Sequence, residues 1–280
     1  MNRKIFVFSV MGAMLLLCSS IFANSLDYCT DQSAGFIANH TRQAATDAAD
    51  IVAYNPAGAA LMQPGFYVSL SQQSLFLDYK EEFEDPSTGF KEKYKEDKPI
   101  PIYPNFYSIY NMGKQGTGNL AFSMKAGIIA GGGGLEWNGT TALAAAGSAV
   151  AEGATEKGLA TTLTRTDMKQ EVSSQYFGFG GNVAYSLFDG KASISAGSQF
   201  IYAQKTAETT GKLYFDTPAL AGFTGDPEWS MDIDSKFDFD AKGYNIILGF
   251  DVRPVEKMTL GFRYETEADL KFKYHQERDE

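Results

Sequence analysis

Thr259–Tyr274 reads TLGFRYETEADLKFKY, and its side chains alternate in character for sixteen residues. Leu260, Phe262, Tyr264, Thr266, Ala268, Leu270, Phe272 and Tyr274 fall on one face. Gly261, Arg263, Glu265, Glu267, Asp269, Lys271 and Lys273 fall on the other. A period of two marks a strand with one apolar face. Ordinary strands run to about 5–6 residues, so this length calls for an architecture that needs long strands. Transmembrane barrels need them, because tilted strands cross the apolar layer and extend beyond it. The expected fold class is all-β: a transmembrane antiparallel β-barrel.

The same alternation recurs upstream. In Lys191–Tyr202, Ala192, Ile194, Ala196, Phe200 and Tyr202 oppose Ser193, Ser195, Gly197 and Gln199; Tyr176–Leu187 and Asn119–Ile129 follow the same rule. In Met231–Phe239 the apolar residues are odd-numbered, whereas Tyr244, Ile246, Leu248, Phe250 and Val252 are even-numbered. A β-bulge near Ala241–Gly243 would produce that slip. About seven strands result: Phe66–Tyr79, Ile102–Met112, Asn119–Ile129, Gln170–Leu187, Lys191–Ala207, Met231–Val252 and Met258–Tyr274. Their connections alternate between short turns (Asn111–Gly118, Leu187–Lys191, Asp251–Lys257) and long loops (80–101, 131–169, 203–230), which is the barrel arrangement.

Composition agrees. Hydrophobic residues are 44% and aromatics 14%, yet mean hydropathy is only -0.22, so apolar residues are interleaved with polar ones. After residue 23 no stretch approaches the roughly 20 apolar residues of a membrane helix. A net charge of -10 argues against nucleic acid as a partner. The two cysteines, Cys18 and Cys29, leave no internal disulfide framework once a leader is removed.

Met1–Ala23 has Arg3 and Lys4, an apolar core from Ile5 to Leu17 and small residues up to Ala23: a secretory signal, with an uncleaved anchor as the alternative. Leu17 before Cys18 fits a lipidation signal poorly. Residues 24–65 are rich in Ala, Asp, Thr and Gln. Asn55 is placed to cap a short helix over Ala57–Met62, with Pro56 in its first turn and Gln63-Pro64-Gly65 ending it. The segment reads as a small surface hairpin or as a compact plug whose small side chains pack closely against the strands.

This order of parts resembles the FadL/TodX family of outer-membrane transporters for long-chain fatty acids and other hydrophobic compounds. The residues that carry the resemblance are Ala45, Asp47, Ala48, Ala49 and Tyr54-Asn55-Pro56-Ala57-Gly58, followed directly by period-two strands. Asn55-Pro56-Ala57 matches the Asn-Pro-Ala of that family's N-terminal hatch. The resemblance implies a signal peptide (1–23), a hatch (24–65) and barrel strands (66–280). The family barrel has fourteen strands, so the chain is expected to be its N-terminal half.

The resemblance also implies passive uptake of a long-chain fatty acid or other hydrophobic compound. Capture occurs in a loop groove, and exit is sideways where the third strand kinks. The gate residues would be Asn55, Pro56, Ala57 and Gly127, with Asn55 bonding the freed edge near Gly127; Gly131–Gly134 is either part of the kink or a flexible loop. A helix in Leu135–Leu163 would offer Leu135, Trp137, Leu143, Val150 and Leu159 as an apolar groove, or be a solvated loop helix. Lys125 and Arg263 are the inward cations for a carboxylate, unless they pair with lumen acids such as Glu265 and Asp269. The implied partners are outer-membrane lipid, including lipopolysaccharide, and the barrel-assembly machinery. The implied location is the outer membrane of a Gram-negative-type bacterium, as a monomer when the barrel is complete.

No enzyme, cofactor or metal is expected. Only His40 and His275 occur, far apart, with no nucleophile spacing, no metal-ligand spacing and no phosphate-binding loop. The alternative function is a non-transporting surface barrel or adhesin acting through its long loops.

Overall fold

The computed structural model describes residues 32–275 apart from 41, 77, 97–99 and 256–257. The expected signal peptide and Cys29 lie outside these. Among these residues ten strands form: β1 (Gly65–Leu75), β2 (Lys80–Glu84), β3 (Lys91–Lys95), β4 (Ile100–Gln115), β5 (Gly118–Trp137), β6 (Thr162–Leu187), β7 (Ala192–Asp216), β8 (Glu228–Val255), β9 (Met258–Glu265) and β10 (Lys273–His275). Among the described residues three α-helices accompany them: α1 (Ala34–Ala38), α2 (Thr141–Thr155) and α3 (Pro218–Thr224). The protein is mostly β, with one large antiparallel sheet. That sheet is a meander ordered β1-β4-β5-β6-β7-β8, with β9 and β10 both on the far edge of β8. Six of the seven expected strands are present as single strands, and the seventh, Met258–Tyr274, is divided into β9 and β10.

The two faces of the sheet differ. One carries the N-terminal segment at the end of the short turns and α2 at the opposite end; we call it the covered face. Small, polar and glycine residues dominate it beside the N-terminal segment: Ser123, Asn182, Ser195, Gln199, Asn245 and Asp251 are all buried. On the open face at the same level lie exposed Phe122, Met124, Phe179, Val183, Ile194, Tyr244, Ile246, Phe262 and Tyr264. A contiguous exposed apolar surface of that extent marks a contact with another protein or with lipid.

Farther from the short turns the polarity reverses. On β8 the odd residues face the covered side throughout, so Ile233 packs beneath α2 while Asp232 and Asp234 are exposed on the open face. The β7–β8 register is unbroken from Ala192↔Val252 to Asp216↔Glu228. The expected bulge at Ala241–Gly243 is therefore absent. The slip in the sequence marks a change in what each face meets, not a change in backbone phase.

The opening stretch is corrected in the opposite sense. Its unbroken alternation is not one strand: β9 ends at Glu265 and β10 resumes at Lys273. Between Glu265↔Ile247 and Lys273↔Asp240, seven residues of the edge segment face six of β8, which is the count of a one-residue bulge. Phe262 and Tyr264 face the open side, whereas Leu270 and Tyr274 lie against Gly243 and Phe239 of the covered side. The edge thus reaches the same reversal by inserting a residue into a sequence that keeps its phase.

The long loops are more ordered than expected. Loop 80–101 contains the hairpin β2–β3. Loop 131–169 shrinks to α2 and its flanks, because β5 continues to Trp137 and β6 begins at Thr162. Loop 203–230 shrinks to α3 for the same reason. At the hairpin tip, Asp85 Oδ1 accepts from the Ser87 hydroxyl (2.6 Å) and the Ser87 amide (2.9 Å). These bonds hold its carboxyl well below the usual carboxylate range. A carboxylate depressed by folding adds stability above its unfolded value and loses it as pH falls towards the folded one. Hydrogen-exchange protection of the Gly89 amide, which donates to Asp85 O, should fall between about pH 5 and about pH 2. Asp85→Asn should remove that pH dependence.

Candidate functional site

Asn55 organises the N-terminal segment. Its side-chain oxygen accepts from the Ala57 amide (3.2 Å), so it caps the 3-10 helix Pro56–Leu61 as the sequence predicts. Pro56 occupies the first turn, where a missing N–H costs nothing. The Asn55 amide nitrogen is shared among Gln43 O (3.1 Å), Phe250 O (3.2 Å) and Asp251 Oδ1 (2.9 Å). One side chain thus joins two parts of the segment to β8.

Further bonds seat the same helix. Ser193 on β7 donates to Ala57 O (2.8 Å). Asn111 on β4 donates to Ala59 O and Met62 O (2.9 Å each). Ile51, Val52, Ala59, Ala60 and Met62 pack on Tyr107, Ile109, Ala121 and Ala184. Small residues make this possible: a Cβ on Gly58 would sit 2.6 Å from Ala45 O. The lead-in is tied by Arg42, which bonds both Asp50 and Asp47, and by Arg253 on β8, which donates to Thr46 Oγ1 (3.0 Å).

Gly127 stands apart from this arrangement. The β4–β5 ladder ends at Asn105↔Gly127, and the side chain of Asn105 lies where a Cβ on Gly127 would be. The expected bond from Asn55 to this edge is replaced by the bonds to β8, because the Pro56–Leu61 helix delivers Asn55 to Phe250 and Asp251. The third strand does not end at Gly127. It runs on with register shifts at Ile128/Ala130 and Ala130/Gly133, and with Gly131 at φ +107. Among the described residues, beyond Gly127 β4 pairs with β1 and β5 with β6 until Glu96 bridges Trp137. Tyr103, 1% exposed, packs with Ile128 and Phe177 at the slot so formed.

The loop residues divide. Leu143 and Val150 of α2 pack onto Leu163, Met168, Leu213, Phe215 and Ile233, so the strands fill the apolar side expected to form an open groove. Leu135 is buried on β5, Trp137 stacks on Tyr79 at 6.5 Å, and Leu159 is exposed. The two expected cations do reach the covered face. Lys125 is buried with its stem over Gly180, whereas Arg263 is paired with Glu265, which also accepts from Asn245.

Between the N-terminal segment and α2 lies a cluster that sequence reading missed. Lys205 Nζ stands 5.5 Å from the Tyr176 ring and 5.3 Å from that of Phe272. Tyr274 lies 5.3 Å from Phe239 and 5.9 Å from Phe237. A cation beside partly buried and exposed rings is suited to an amphipathic anion. The signal was available: Phe237, Phe239, Phe272 and Tyr274 are the apolar residues on the far side of the two polarity reversals. Comparison of the chain with protein-family models, curated proteins and solved structures gives no match; the resemblance to fatty-acid transporters therefore rests on the sequence features alone.

Proposed function

We propose that the chain supplies wall strands and the plug of an outer-membrane β-barrel for passive uptake of a long-chain fatty acid or another hydrophobic compound. The observation that carries this reading is the pairing of two opposite surfaces on one sheet. The open face bears an apolar band, and the covered face is sealed by a helix bonded to β4, β7 and β8. Along β7 the band runs from Ile194 to Tyr202, eight residue steps, beyond the buried Ala192. That is about 27 Å along the strand, or about 20 Å along the normal at a tilt of ~40°, close to the band of about 25 Å on outer-membrane barrels.

In this mechanism the ligand's acid group meets Lys205, and its hydrocarbon lies on Phe237, Phe239, Phe272 and Tyr274. Exit runs through the slot between β4 and β5, with Tyr103 across its mouth. The Asn55 bonds keep the Pro56–Leu61 helix in place beneath the ligand. The test is retention of radiolabelled oleate by purified protein folded in detergent. Lys205→Ala should weaken retention about tenfold, the loss of one charged hydrogen bond. A folded protein that retains no oleate would sink the proposal.

A further inference from the structure

A second concavity lies on the open face, where the apolar band ends. It is a cleft of about 360 Å³ bordered by Gln175 of β6, Tyr202 and Gln204 of β7, Asp238 and Asp240 of β8 and His275 of β10. That volume is at the lower end of small-molecule sites, about 300–1,000 Å³. We propose that this cleft seats the sugar headgroup of an outer-leaflet glycolipid; the assignment rests on the reading that the apolar band meets lipid.

Position supports this occupant. Tyr202 is the last aromatic residue of the band on β7, and Gln204 is the next side chain on the same face, about 7 Å farther along the strand. A glycolipid whose acyl chains lie on the band at Phe200 and Tyr244 places its first sugars at this height. Rings at such a boundary present an apolar face and a polar tip.

Chemistry supports it as well. Sugar hydroxyls both donate and accept; the two carboxylates accept, and the two glutamine amides do both. The groups are pre-set: Gln204 Nε2 bonds Tyr202 OH at 3.0 Å, Thr206 donates to Asp238 Oδ1 at 2.7 Å, and His275 Nε2 meets Asp240 Oδ1 at 2.6 Å. A phosphate would call for convergent Arg or Lys. The lysine bordering the cleft, Lys205, has its ammonium against the Tyr176 and Phe272 rings, and two carboxylates face the space instead.

The test uses the full chain inserted into phosphatidylglycerol vesicles, with the neutral glycolipid monoglucosyl diacylglycerol as the probe and bound lipid counted by native mass spectrometry. The wild type should hold the glucolipid in preference to the phospholipid. Gln204→Ala and Asp240→Asn should each weaken that preference about tenfold, as loss of one or two hydrogen bonds would. Gln175→Ala, on the neighbouring strand, gives a third variant should either fail to insert. Equal binding by wild type and variants, or no preference over phospholipid, overturns the headgroup site while leaving the uptake reading intact. Failure of the wild type to insert overturns both.

Discussion

Gly249→Ala should unseat the N-terminal helix. A methyl group on Gly249 would overlap Asn55 Oδ1 and Ser195 Oγ and stand 3.2 Å from the Ala57 amide nitrogen. The glycine has no left-handed φ, so alanine fits its backbone and the effect is steric. Forcing a methyl into a packed site costs about 1–3 kcal/mol. Here the cheapest relief is to lift Asn55 away from Gln43 O, Phe250 O and Asp251. Limited proteolysis should then cut within 45–62 much faster than in the wild type. Gly181→Ala is the matched control: it makes the same change on β6, where a Cβ meets nothing within 4 Å. Equal protection in both variants would show that this contact does not seat the segment.

Glycine's role here was only partly legible from sequence. Glycines alternate with Phe and Val in β6, which revealed the strand and which face is small. What each glycine makes room for was hidden, because its occupant comes from the neighbouring strand or from a distant part of the chain. Gln199 lies over Gly178, Asn182 over Gly197 and Asn55 over Gly249. The last pair is separated by about two thirds of the chain, and no local pattern encodes such a register. For the same reason Asn55 was correctly read as a cap, a local property, and wrongly joined to Gly127, a long-range one.

The polarity reversals carry a related lesson. Alternation reports which residues share a face, but not what that face meets. The β8 sequence changes phase on an unbroken strand, whereas the Thr259–Tyr274 sequence keeps phase across a bulge. Both place apolar groups on the open side near the short turns and on the covered side near α2. Burial beneath α2 explains the second location for Met231 and Ile233 of β8, whereas Phe272 and Tyr274 stay exposed there. The Lys205 cluster sits at this change of sides, which is why it stayed hidden when the phase slip in β8 was read as a bulge and Thr259–Tyr274 as one unbroken strand.

Leu248→Arg tests what the open face meets, because the sign of its effect depends on the surrounding medium. Leu248 is 44% exposed and lies in mid-band between Ala196 and Tyr264. In water, exchanging a half-exposed surface leucine for arginine changes stability by about 0.5 kcal/mol or less. At the midplane of a bilayer the same charge costs about 2–4 kcal/mol. Asp234→Arg, on the same face of β8 but in the charged region, should have little effect in either medium. The measurement is urea unfolding of protein inserted in lipid vesicles, followed by the fluorescence of Trp137 and Trp229. Leu248→Arg should lower the midpoint strongly or abolish insertion, and Asp234→Arg should unfold like the wild type. If the two arginine variants behave alike, the apolar band does not face hydrocarbon. The exposed Phe, Ile and Leu side chains would then need a protein partner to cover them, since water alone would leave them an aggregation hazard.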